Sequence, residues 1–305
     1  MNRLTAIAAI GLASFAMEGR AIVFESTADP DYNTSAPTGP LAGSGWQYQG
    51  EGPVAGTPIA SQYFITAKHI GGSVGQIFVY GGTNYTTTAM YDQPDGDLRI
   101  FKVDLAFSSY APMYTASDEV GKDIVFFGRG AGRGAEVVVS GTARGWEWTN
   151  VPEDLRWGEN EISSIVDGGN VWGNSILAFT FDQGTGNPNE AGLAFGDSGG
   201  GVFILDDGIW KLAGVNLGAD GPYNTTPSYG GEFSATLYNQ DGLYAPDFEN
   251  QWQLMSGPGA SYASRISSNQ IWINSVIVPE PSANVLLGTA GIVLTAWQLR
   301  RMRKR

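Results

Sequence analysis

The chain of 305 residues contains no cysteine and a single histidine. Without cysteine there are no disulfides and no thiolate metal sites, so stability must come from burying a core. Positive charge is also scarce: 17 basic residues stand against 30 acidic ones, a net charge of −13. Seven of those cations lie in the two terminal segments, which leaves the body between them more acidic still. Such a body repels nucleic acid and anionic lipid, so no nucleic-acid partner is expected. Internal repeats are lacking. Sustained helical periodicity is confined to Ser267–Val276, and no calcium-loop or other metal motif is present. No metal or cofactor is therefore expected.

The two ends do not read as globular protein. Met1-Asn2-Arg3 is a short positive region, and Leu4 to Met17 follows without a charge. That length suits a signal peptide and is too short for an ordinary membrane span. Ala16 and Ala21 are the small residues that would precede cleavage, and 1–21 is read as the signal. At the other end Ala283 to Leu299 is uncharged and mostly apolar, followed by Arg300, Arg301, Arg303, Lys304 and Arg305. Seventeen residues at ~1.5 Å each reach about 25 Å, enough for the hydrocarbon core. The cations would stay in the cytoplasm. Residues 22–277 remain as the folded body, with room for one large β domain or two small ones.

Glycine is abundant at 43 residues, about twice the ~7% average. Short runs rich in Val, Ile, Phe and Tyr sit between Gly, Asn, Asp and Pro clusters. They are Gln62–Ala67, Gln76–Tyr80, Leu98–Val103, Asp123–Phe127, Glu136–Val139, Gly201–Leu205 and Ile209–Leu217. This spacing predicts an all-β sandwich or barrel. Tyr223–Phe248, rich in Gly, Asn, Thr and Tyr, reads as an inserted loop.

The chemistry centres on the lone His69, which closes the strand-like run Phe64-Ile65-Thr66-Ala67-Lys68. Far downstream stands Gly196-Asp197-Ser198-Gly199-Gly200, backed by the apolar Val202-Phe203-Ile204-Leu205. A serine hydroxyl is a poor nucleophile until an adjacent base removes its proton, and imidazole is the usual base. A buried carboxylate then fixes the imidazole tautomer. Glycines around the serine let amide N–H groups turn toward a developing oxyanion. Gly196-x-Ser198-x-Gly200 also fits the nucleophile elbow of α/β-hydrolases, but that order needs a histidine after the serine, and none follows. The order aspartate, histidine, serine would draw on Asp29 or Asp31, which flank Pro30 in a turn. The order histidine, aspartate, serine needs an aspartate between 69 and 198.

Here the sequence resembles the trypsin/chymotrypsin-type serine proteases. Thr66-Ala67-Lys68-His69 is similar to their T-A-A-H, with Lys68 where alanine is usual. Gly196 to Gly200 matches G-D-S-G-G, with Gly201 in place of the usual proline. Asp97-Leu98-Arg99-Ile100 resembles D-[IL]-A-L, with Arg99 departing from it; Asp92, Asp95 and Asp104 are the other carboxylates within range. The His–Asp interval is short for the family, which implies trimmed loops. Ile124 to Gly130, Leu212-Ala213-Gly214-Val215, Ser264 to Ser267 and Trp272 to Val276 resemble later family segments in order. The resemblance implies two packed six-stranded antiparallel β-barrels, about 22–116 and 117–277, with a short C-terminal helix. It implies a secreted endopeptidase acting on polypeptide substrates, with His69, Asp97 and Ser198 as the catalytic set. The amides of Gly196 and Ser198 would hold the oxyanion. Asp197 would pair with the α-ammonium of Ile22, freed by cleavage after Ala21; the adjacent Arg20 also suits a second protease. The primary pocket would have Gly192 and Leu193 at its base, and Gly218, Ala219 and Gly259–Ser261 as walls. No acidic residue stands at that base, although Glu190 is near, so a small or apolar substrate side chain is expected.

Val278-Pro279-Glu280-Pro281, the apolar span and the arginine cluster resemble the PEP-CTERM sorting signal of Gram-negative bacteria. That likeness implies a signal peptidase and an exosortase-type enzyme as processing partners and passage through the inner membrane by way of 283–299. The destination would be the cell envelope, cell surface or extracellular matrix. Two rival readings are a catalytically silent binding protein of the same fold and a structural matrix protein.

Overall fold

The computed structural model describes residues 22–149, 154–173, 175–247 and 251–278. The predicted signal segment 1–21 and the predicted sorting tail from Pro279 onward, including the 283–299 span, lie outside them. Among the described residues no helix is long and apolar enough to cross a membrane.

The fold is mostly β, with two curled antiparallel sheets. The first runs in the order Thr57–Ala60, Tyr63–Ala67, Leu98–Val103, Thr83–Asp92, Ile77–Tyr80. Its two edges are brought together by residues 50 and 51, since Gly50 bridges to Gly56 and Glu51 bridges to Val79. The second sheet runs Arg156–Glu161, Asp123–Gly128, Gly201–Asp206, Ile209–Ala219, Ala260–Arg265, Ile176–Thr180, Ser164–Val166. Its outermost strands are consecutive in the chain and are joined by Ile162 and Ser163. The Ile162 amide donates to Lys122 O at 3.0 Å and the Ser163 amide to Ala178 O at 2.9 Å. One bent stretch thus serves both edges, leaving few unpaired backbone groups at the rim.

Period-two patterning decides which side chains go where. Along Asp123–Gly128, Ile124 and Phe126 enter the second sheet's own core with Phe24, Leu177, Phe179 and Val202. Val125 and Phe127 point the other way, into the seam between sheets, where they meet Ile65, Leu98, Ile100, Phe203 and Val215. The first sheet closes over an aromatic core in which Phe64 and Phe78 stack with centroids 3.8 Å apart. Each fully buried ring is worth about 1.5–3 kcal/mol, which is how a chain without disulfides holds two sheets together.

The C-terminal helix Gln270–Ile277 follows a short 3₁₀ turn, Ser267–Asn269, within the predicted Ser267–Val276 segment. It plugs Ile273 into the seam. The buried carboxylate of Glu119 fastens its start: Arg265 Nε and Nη2 donate to Oε1 and Oε2 at 2.8 and 2.6 Å, and Ser267 Oγ also donates. Tyr223–Phe248 differs from expectation. It holds strands Ala235–Leu237 and Tyr244–Pro246 and buries Tyr223, Leu237, Leu243 and Ala245 in a small core shared with Val137. Each strand is only three residues long, so Gly/Asn-rich turns dominate the composition and mask the pattern.

Candidate active site

His69 lies in the single 3₁₀ turn Lys68–Ile70 that ends the Tyr63–Ala67 strand. Asp97 immediately precedes Leu98–Val103, whose register against that strand pairs Ala67 with Leu98. Antiparallel pairing therefore brings together two residues 28 apart in sequence. The carboxylate is 2% exposed. Its Oδ2 accepts a hydrogen bond from His69 Nδ1 at 2.6 Å, and its Oδ1 accepts one from the His69 backbone N–H at 2.9 Å. The Lys68 amide donates to the Asp97 carbonyl at 2.6 Å, locking the turn to the strand. With the proton held on Nδ1, His69 Nε2 is left as an acceptor, and Ser198 Oγ stands 2.8 Å from it. Ser198 Oγ also lies 3.3 Å from Leu217 O.

The other carboxylates are engaged elsewhere. Asp92 receives Arg99 Nε and Nη2 at 2.6 and 2.9 Å, and this fork holds its carboxyl below the usual range. Arg99, the residue that departs from the family pattern, is 8% exposed and also donates to Gly71 O at 2.7 Å. It braces the backbone just beyond His69. Asp104 accepts the Thr86 amide. Asp95 sits at the rim of a separate small cavity.

The Ser198 turn is built around Asp197, which is 1% exposed. Its Oδ1 accepts the Gly130 amide and its Oδ2 the Ala194 amide, both at 2.8 Å. Burial pushes its carboxyl up to about 7, against the hydrogen bonds from Ala194, Gly130 and Ile22 and the charge of Arg156. Ile22 is fully buried beside it, and Val23 and Phe24 pair with Gly192 and Ala191. Two glycines make this possible. A Cβ on Gly128 would lie 2.1 Å from Asp197 Oδ1, and one on Gly130 would lie 2.4 Å from Phe195 O. Among the described residues the amides of Gly196 and Ser198, on either side of Asp197, donate to no protein group. They are available to an incoming oxygen.

Two clefts lie beside Ser198, the first containing it and the second meeting it at Leu217, whose carbonyl oxygen faces Ser198 Oγ. One, of about 750 Å³, is bounded by His69, Ile70, Gly196, Ser198, Phe195 and the Glu51–Ala55 segment. The other, of about 680 Å³, is bounded by Leu217, Gly218, Ala219, Trp172 and Tyr262. Of the predicted pocket residues, Gly218 and Ala219 line this second cleft. Gly192 and Leu193 are buried, and Thr236 Oγ1 donates to Leu193 O while the Leu193 amide donates to Ser261 Oγ. Glu190 faces away, toward Asn160 and the Asp182 amide; burial raises its carboxyl to about 8. Sequence reasoning missed Trp172, whose ring meets His69 edge-on at 5.8 Å. It also missed Phe195, 70% exposed beside the site. Only the adjacency of Phe195 to Gly196 signals it in sequence, and nothing local signals Trp172.

No family model matches the chain, and no curated protein is similar to it. Among solved structures, an inactive form of Rv3671c from M. tuberculosis H37Rv is similar over 84% of this chain and 97% of its own, at 13% identity and a TM-score of 0.46. Kallikrein-related peptidase 10 in complex with Zn²⁺ is similar over 78% of this chain and 99% of its own, at 17% identity and a TM-score of 0.47. Likenesses this distant carry no argument about chemistry; the distances among Asp97, His69 and Ser198 do.

Proposed function

We propose that this protein is a serine endopeptidase of the trypsin/chymotrypsin type, hydrolysing peptide bonds through an acyl-enzyme. The observation that carries the reading is the unbroken hydrogen-bonded line from the buried Asp97 through His69 to Ser198, at 2.6 and 2.8 Å. Ser198 Oγ attacks the scissile carbonyl as its proton passes to His69 Nε2. The Gly196 and Ser198 amides hold the oxyanion, and Asp97 stabilises the imidazolium. His69 then gives its proton to the leaving amine, and water repeats the sequence to release the acyl group. Asp197 and Ile22 keep the oxyanion turn in shape. Cleavage before Ile22 would replace a neutral amide beside the buried carboxylate by an ammonium, a better partner for a buried charge. Residues 1–21 would direct export. Residues 278–305 would act as the sorting tail, crossing the inner membrane by way of 283–299 and being cut by an exosortase-type enzyme, delivering the body to the envelope, cell surface or matrix.

The test is intact-mass analysis after exposure to a fluorophosphonate, using protein with a free Ile22 terminus. One adduct is expected, absent from Ser198→Ala and His69→Ala, with peptide hydrolysis down by roughly 10⁴ or more in both. A folded protein that takes no adduct would return the molecule to the silent binding-protein reading.

A further inference from the structure

The two clefts are not equivalent. In the acylation step His69 hands a proton to the departing nitrogen, while the carbonyl oxygen rests between the Gly196 and Ser198 amides. The departing segment therefore leaves through the cleft that holds both His69 and Gly196, which is the one reaching the Glu51–Ala55 segment. The Leu217–Ala219 cleft, which holds neither, receives the acyl segment.

The leaving-side cleft has an unusual wall. Phe195, next to the oxyanion turn, is 70% exposed, and Pro53, Ile70 and the largely buried Val54 line the same cleft. The charges at the far rim are already matched, because Arg129 Nη2 meets Glu51 Oε2 at 2.9 Å. A charged substrate side chain entering there would compete with an existing pair, whereas an apolar one would cover a ring now standing in water. We infer that this cleft receives the side chain that follows the scissile bond and selects a bulky apolar residue, so that substrates are cut on the amino side of residues such as leucine and phenylalanine. The inference rests on the acyl-enzyme reading above, and it assigns Phe195 as a specificity-determining residue.

Aminolysis isolates the leaving side. The purified protein is acylated by an activated ester of acetyl-alanine, and amino-acid amides are offered as acceptors. The acceptor nitrogen attacks the ester carbonyl, the new C–N bond forms, the C–Oγ bond breaks, and the amine's proton returns through His69 to Ser198 Oγ. The ratio of aminolysis to hydrolysis is read for the amides of leucine, phenylalanine, glycine, aspartate and lysine. Leucine and phenylalanine amides are expected to outcompete glycine and aspartate amides by about tenfold or more, the range a single apolar side chain commands. Phe195→Ala should shrink that preference to within about threefold, and Phe195→Leu should retain it. Equal partitioning, or preference for aspartate or lysine amide, overturns the inference while leaving the acyl-enzyme standing. Failure to form an acyl-enzyme, with no fluorophosphonate adduct, overturns the parent reading itself.

Discussion

At the residue scale, Asp97 and Asp92 show what spacing alone leaves open. Several aspartates lie within reach of His69 in sequence, and composition ranks none of them. The ranking comes from register: Ala67 pairs with Leu98, so the carboxylate one step before Leu98 is delivered to the imidazole. Asp92, a strand-width away, is taken by Arg99. Asp97→Asn should fold normally and lose about 10³–10⁴ in fluorophosphonate labelling rate, because the amide no longer fixes the Nδ1 proton. Asp92→Asn should leave labelling within about threefold and lower the urea midpoint, since Arg99 keeps only part of its fork. Stopped labelling kinetics and denaturation on the two variants separate the roles.

Elements were legible to the extent that their inward faces are apolar. Leu98–Val103 can be read to the residue because four of its six side chains are large and apolar and all four are fully buried. Thr83–Asp92 escapes notice because its ten residues are mostly Thr, Asn and Tyr, and few of them face the core. The Asp123–Gly128 strand shows an element shaped by a site: its last position must lack a side chain, since Asp197 occupies that space. Gly128→Ala should therefore cost roughly 3 kcal/mol or more and abolish labelling together, as backbone and carboxylate cannot both stay in place. A Gly128→Ala protein with native urea midpoint and native labelling would refute the close approach.

On the scale of the whole molecule, acidity becomes a liability at buried carboxylates: Asp197 and, away from the site, Glu190. Glu190 is 5% exposed and sits near Asp182, Glu25 and Glu159; burial first, then those charges, lifts it to about 8 from an ordinary value of 4.5. The folded state thus keeps a proton that the unfolded chain has already released. This contribution to stability is full below pH ~4.5 and falls as pH rises toward 8, by an amount on the order of 4 kcal/mol between pH 5 and 9. Glu190→Gln should flatten that decline, so that the two proteins are alike at pH 5 and the variant is the more stable at pH 9. Urea midpoints across the range would show it, and parallel curves would refute it. The overall two-sheet plan was readable because motif order survives changes in loop length. The small 223–248 unit and the Trp172 contact were not, because both depend on distant segments meeting.

The placement of the lone imidazole between Asp97 and Ser198 also makes the molecule its own reporter. In a chain free of any affinity tag, every histidine ring resonance in a nitrogen-15 spectrum belongs to His69. Its tautomer and titration can then be followed without assignment or mutagenesis. For the same reason the imidazole adduct of an acylating reagent can form at one site alone, His69.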